Sequence, residues 1–241
     1  MIIRKRRKSG LVIAVIAGIA SLLSGCFIDK NLAAKPYVES SVVSDYVVRH
    51  GGLVRGRARQ DLVNVNLNGK WSAFIWQNYS DDEKKFNERD FGITYSSPIN
   101  DRTSVRIGYT HFTYPSGTFG NYDNAIEGGI HYSNGIDLDF GLTQLLPHGQ
   151  IENGTRCYVK ASKSFTLYRN KDLNVSISPS ISTAHVSNYY GLTGFSQITP
   201  GLSLDCTKKG FSINLFINNQ FGQIPEIENV TWKGGTISYK F

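Results

Sequence analysis

Residues 173–182 read LNVSISPSIS. Leu173, Val175, Ile177 and Ile181 fall on one parity, and Asn174, Ser176, Ser178, Ser180 and Ser182 fall on the other. A period of two held over ten residues marks a strand with one apolar and one polar face. Residues 136–142 (IDLDFGL) repeat the pattern. No segment from Tyr37 onward shows a convincing helical period. The alternation predicts twelve strands, at about 37–48, 61–67, 70–79, 86–96, 103–114, 122–133, 136–145, 156–168, 173–184, 196–206, 211–221 and 231–241.

The connections between these runs carry more information than the runs. In order they are residues 50–60, Asn68-Gly69, 80–85, 97–102, 115–124, Asn134-Gly135, 146–154, 168–172, 185–197, 207–210 and 222–232. Long and short alternate through most of the chain. Asn-Gly stands twice at short positions, where a two-residue hairpin turn favours it. Long loops at one end and short turns at the other are the asymmetry of a transmembrane barrel. The fold class expected is therefore all-β: one antiparallel up-and-down transmembrane β-barrel of about 12 strands (10–12), filling residues 37–241. An even count places both termini on the short-turn, periplasmic side. A soluble sandwich also alternates, but it gives no reason for the loop asymmetry. Aromatic residues near strand ends (Tyr46, Trp71, Tyr79, Tyr95, Tyr114, Tyr132, Tyr168, Phe221, Trp232) suit two interfacial girdles.

The first residues read as an address. Arg4, Lys5, Arg6, Arg7 and Lys8 precede an apolar run at 11–23, too short for a bilayer span of roughly 20 residues but suited to an export signal. Leu23-Ser24-Gly25-Cys26 follows. This ending resembles a bacterial lipobox, which implies a signal peptide at 1–25, acylation of Cys26 and a lipid-anchored periplasmic linker at 26–36. Two acyl chains meet the two-signal requirement for stable anchoring. The chain has 241 residues and a formal charge of +7. Without the five basic residues of the address, 21 basic face 19 acidic residues, so no nucleic-acid partner is expected. Mean hydropathy is −0.24, which excludes a helical membrane protein.

At the other end, Ile237, Tyr239 and Phe241 alternate with Thr236, Ser238 and Lys240. The pattern resembles the terminal-strand signal of outer-membrane barrels and implies recognition by the barrel assembly machinery through Phe241. Gly235 stands one place from that signal's usual glycine. Ser44-Asp45-Tyr46-Val47-Val48-Arg49, Trp76, residues 91–95 (FGITY) and residues 107–115 (IGYTHFTYP) also resemble a family of small exported proteobacterial proteins, predicted outer-membrane barrels of unknown function. The resemblance implies a fold and no activity.

Giving the apolar parity to lipid leaves an interior bearing Asp90, Arg106, Glu127, His131, Asp137, Asp139 and Lys160 as lumen-lining candidates, with Asn64, Asn66, Asn174, Asp205 and Lys240. Mixed charge predicts weak ion selectivity. Eight strands are normally filled by side chains and sixteen leave a channel. The expected function is a passive channel or binding pore for small polar solutes. The alternative is a non-conducting envelope barrel, closed by pairs such as Arg106–Glu127 and acting through its outer loops. Arg49, Arg55, Arg57 and Arg59 form a basic cluster in the first long loop, suited to lipopolysaccharide phosphates or to pairing with Asp81, Asp82 and Glu83. No enzymatic constellation is read: His111, with Asn87 and Asn124 nearby, has no serine in its neighbourhood. No metal site and no cofactor are expected. Cys157 and Cys206 lie two strands apart, near 9–10 Å, beyond the reach of a disulfide at about 7 Å.

The lipobox gives the first test. Cys26→Ser should abolish palmitate labelling and leave the precursor uncleaved. Labelling that persists in the variant would rule out acylation at this cysteine.

Overall fold

The computed structural model describes residues 35–47, 56–115, 122–147 and 153–241. The address at 1–25, most of the linker, and loop residues Arg49 and Arg55 lie outside these. Thirteen strands follow in order: β1 (Lys35–Val43), β2 (Ala58–Asn66), β3 (Trp71–Ser80), β4 (Lys85–Asn100), β5 (Thr103–Thr113), β6 (Tyr122–Ser133), β7 (Asp137–Leu146), β8 (Gly154–Ser162), β9 (Phe165–Arg169), β10 (Leu173–Tyr189), β11 (Leu192–Lys208), β12 (Phe211–Gly222) and β13 (Val230–Lys240). Among the described residues there is no helix.

Consecutive strands pair antiparallel except β8 and β9, β8 pairs with β10, and β13 returns to β1, from Tyr37↔Lys240 to Val43↔Gly234. The result is a closed ring of twelve strands, as the alternation predicts. β9 stands outside the ring. The run expected at 156–168 is broken after Ser162, and its second half pairs only with the start of β10, beyond the first residue of β7. Lys35 and Pro36, expected in the linker, already belong to β1.

Turn chemistry explains the ends. Gly69 and Gly135 have φ of 81° and 76°, which the Asn-Gly turns require. The Asn68 side chain caps its turn by accepting from the backbone N–H groups of Lys70 (3.1 Å) and Trp71 (2.9 Å). One connection differs from expectation. The long loop predicted at 185–197 is instead a hairpin, because β10 and β11 run on to a two-residue turn at Tyr190-Gly191. Both turn residues have positive φ. Asn188 and Gly194 are taken up as irregularities in the strands.

The burial pattern is inverted relative to a water-soluble protein. Ile107, Leu215 and Ile237 are 57%, 53% and 53% exposed, whereas Asn78, Ser196 and Thr110 are essentially buried. Ile75, Phe91, Ile93, Ile126, Ile130, Phe140, Leu142 and Leu202 continue the exposed apolar wall. Leaving such side chains in water forgoes about 1.5–3 kcal/mol each, so this wall requires a hydrocarbon surround. Inside, two apolar clusters pack at the long-loop end. One joins Phe112, Tyr114, Ala125, Leu145, Val186 and Tyr189; the other joins Val43, Tyr46 and Ala58, with Trp76 and Phe216 against it. Tyr46 and Tyr114 therefore belong to the interior and not to a girdle. Trp71 and Tyr95 do face outward near the short-turn end, 5.1 Å apart.

Cys157 and Cys206 are both free. They lie on β8 and β11 with β10 between them, opposite His185 and Val175 respectively. Those two positions are ten residues apart on β10, on the order of 30 Å, so the expected spacing of 9–10 Å was far too short. The register, not the strand count, sets the distance. Non-reducing mass mapping should find both thiols alkylatable after denaturation without reductant. A native 157–206 cross-link would show that β10 does not lie between them.

Candidate functional site: the barrel interior

Parity along each strand sorts the candidates. Arg106 on β5, Glu127 and His131 on β6, Asp137 and Asp139 on β7, Lys160 on β8 and Asp90 on β4 all fall on the face opposite the exposed apolar residues. Register then decides which of them meet. Arg106 and Glu127 line one cavity of about 320 Å³ with Thr94, Thr143, Arg156 and Tyr158. Arg106 also reaches a second cavity of about 250 Å³, beside His131, Asp139, Ser96 and Ser104. His131 Nδ1 lies 3.0 Å from Asp139 Oδ1, and Lys160 stands opposite Asp139 across the β7–β8 ladder. Asp137 is at the start of β7, opposite Ser162.

The expected Arg106–Glu127 closure is not how these side chains are arranged. Arg106 Nη2 donates to the Tyr158 hydroxyl. Glu127 accepts from the Thr110 hydroxyl at 2.7 Å and from Thr143 at 3.5 Å. Two glycines make room for this. A Cβ at Gly141 would lie 2.0 Å from the Tyr158 ring, and one at Gly129 would lie 2.9 Å from Arg106 Nε. The phenol and the guanidinium thus lie flat on the wall, where any other residue would push them into the lumen. Arg106 and Lys160 remain solvent-exposed although they face inward.

A third cavity, of about 490 Å³, opens on the β1–β4 side and is lined by Asp45, Glu88 and Asp90 with Tyr46, Phe74, Trp76, Phe216 and Trp232. No Lys or Arg is among the described residues lining it. Trp232, expected in a girdle, faces this cavity. Charge is therefore unevenly placed around the interior: carboxylates and aromatic rings without a basic residue line the 490 Å³ cavity, whereas Arg106 and Arg156 share theirs with Glu127. Sequence reasoning missed Arg156 and Tyr158, which share the parity of Lys160 on the same strand and could have been found by continuing that count.

Near the long-loop end, Tyr190 donates to Asp123 Oδ2 at 2.7 Å and its oxygen lies 3.1 Å from that of Tyr114. Burial, then the neighbouring phenol and carboxylates, holds both hydroxyls well above the ordinary tyrosine range. They stay protonated and act as donors. On the outer wall, His111 Nδ1 lies 2.8 Å from Asn124 Oδ1. Asn87 is on the opposite, inner face, accepting from Asn78 at 2.7 Å, so it does not join His111. The basic cluster of the first loop also divides. Arg57 pairs with Asp81 at 3.2 Å, whereas Arg59 is not in the loop but in β2, on the outward face.

No family model matches the chain, and no curated protein matches it. Solved structures do. A KdgM porin superposes with a TM-score of 0.59 at 11% identity, covering 85% of this chain and 99% of that one. A NanC porin gives 0.51 at 9%, covering 85% and 98%. LpxR from Salmonella typhimurium gives 0.51 at 10%, covering 85% and 100%. The fold is that of the outer-membrane β-barrels.

Tyr190→Phe removes one donor to Asp123 and one link to Tyr114. It should lower stability by about 1 kcal/mol, seen as an earlier heat-induced loss of the compact barrel band on gels. An unchanged transition would mean that this network does not hold the long-loop end together.

Proposed function

We propose that this chain is an outer-membrane channel for the passive passage or binding of small polar solutes. The observation that carries the reading is the exposed polar inner wall: Arg106 and Lys160 face inward yet remain exposed, and Arg106 lines cavities of about 320 and 250 Å³. A side chain that plugged the barrel would be buried. The likeness to KdgM and NanC porins supports this reading through the fold. One of those neighbours is described in complex with disordered oligogalacturonate, and Arg106, Arg156 and Lys160 give this interior groups that would suit an anionic solute. In this reading Cys26 carries the lipid anchor, the short turns and both termini face the periplasm, and Phe241 is read by the barrel assembly machinery. Catalysis is not part of the proposal.

A specific observation favours a second reading, a non-conducting envelope barrel working through its outer loops. The two apolar clusters pack inside the long-loop end, where an apolar constriction can gate by dewetting.

Single-channel recording on the refolded protein separates the two. A conducting barrel should show discrete openings, and Arg106→Glu should move its ion preference toward cations, because charge in a narrow pore is poorly screened. An unchanged reversal potential with conductance present would remove Arg106 from the pathway. The absence of conductance in the unaltered protein would favour the second reading.

A further inference from the structure

The outward wall is apolar over most of its circumference, but its β2–β4 sector changes character at the long-loop edge. Arg59 places its guanidinium 5.2 Å from the centre of the Tyr79 ring, and Arg89 places its own 4.8 Å from the centre of Phe86. The two rings meet edge to face at 5.4 Å. Two guanidiniums are thus held at either end of one aromatic pair, which restricts them before any ligand arrives. Neither is ion-paired to a carboxylate among the described residues, and Arg59 Nε is buried without a hydrogen-bond partner. The one acid on this face, Asp61, is only 5% exposed and accepts from Ser40 (2.7 Å) and Gln77 (3.3 Å). Arg57 is taken by Asp81.

Below the guanidiniums, toward the short turns, Ile75 on β3 and Phe91 and Ile93 on β4 are exposed on the apolar wall. We propose that Arg59 and Arg89 form a clamp for the phosphate headgroup of an outer-leaflet glycolipid, lipid A being the chemistry that fits. The guanidiniums take phosphate oxygens by charge-assisted hydrogen bonds, and Ile75, Phe91 and Ile93 contact the acyl chains. Guanidinium above, hydrocarbon below, is the profile of a phospholipid-like molecule and not of a free anion. The assignment to the outer leaflet rests on the orientation given under Proposed function.

Native mass spectrometry of the detergent-solubilised full chain with bisphosphorylated lipid A tests it. Arg59→Gln with Arg89→Gln should weaken lipid retention about tenfold, and raising ionic strength should weaken retention by the unaltered protein. Arg57→Gln should leave it unchanged. Equal retention by the double variant, or equal retention of fully dephosphorylated lipid A, would overturn the clamp. Displacement of the lipid by millimolar inorganic phosphate would overturn the choice of a lipid ligand. Orientation is read apart from this, by labelling Glu226→Cys in intact cells. Failure to label overturns the outer-leaflet assignment, while the loss of lipid in the double variant still supports the clamp.

Discussion

Everything in this structure depends on the ladder between the last strand and the first. A sheet of twelve strands left open would present two edges of unpaired N–H and C=O groups. In hydrocarbon each such group costs several kcal/mol, and no water is at hand to offset it. Pairing β1 with β13 removes both edges at once. The backbone N–H of Phe241, donating to Pro36 O at 3.1 Å, carries the seam one residue further. Once the ring is closed, the two faces of every strand acquire fixed environments, and alternation in the sequence becomes inside and outside in the molecule.

How much of this was legible follows from how local each feature is. Strand alternation and Asn-Gly turns are decided within a few residues, so the twelve-strand ring and the short turns at Gly69 and Gly135 could be read directly. The hairpin at Tyr190-Gly191 could not. Asn188 and Gly194 look like loop residues in the sequence, and only pairing with the opposite strand shows them to be irregularities within a continuing ladder. The break after Ser162 is similar, because β9 runs past the start of β7 and leaves the ring for lack of a partner on that side.

The interior was legible by parity but not by neighbourhood. Counting in twos places Arg106, Glu127 and Lys160 on one face. Which side chains meet depends on inter-strand register, which a single sequence does not carry. That is why Tyr158, not Glu127, receives Arg106, and why Cys157 and Cys206 are far further apart than strand order alone suggested. Three of the nine expected girdle aromatics depart for a related reason. Tyr46, Tyr114 and Trp232 are near strand ends, yet their parity points inward, so they pack the interior instead of the interface.

The interior itself is divided in two directions. Across the barrel, Asp45, Glu88 and Asp90 face one cavity without a basic partner among its described lining, while Arg106 and Arg156 face another together with Glu127. Along the barrel, the exposed polar wall around Arg106 gives way to apolar packing at the long-loop end. These two features pull in different directions. Glycines that let Tyr158 and Arg106 lie flat serve an open lumen, since they remove bulk from the axis. Packed Phe112, Leu145 and Tyr189 serve the stability of the long-loop rim, where strands such as β10 and β11 extend beyond their neighbours and need an inward contact to hold them. That packing sits on two separate sectors of the wall, β5–β7 with β10 and β1 with β2, and twelve strands lie between the eight that side chains fill and the sixteen that leave a channel.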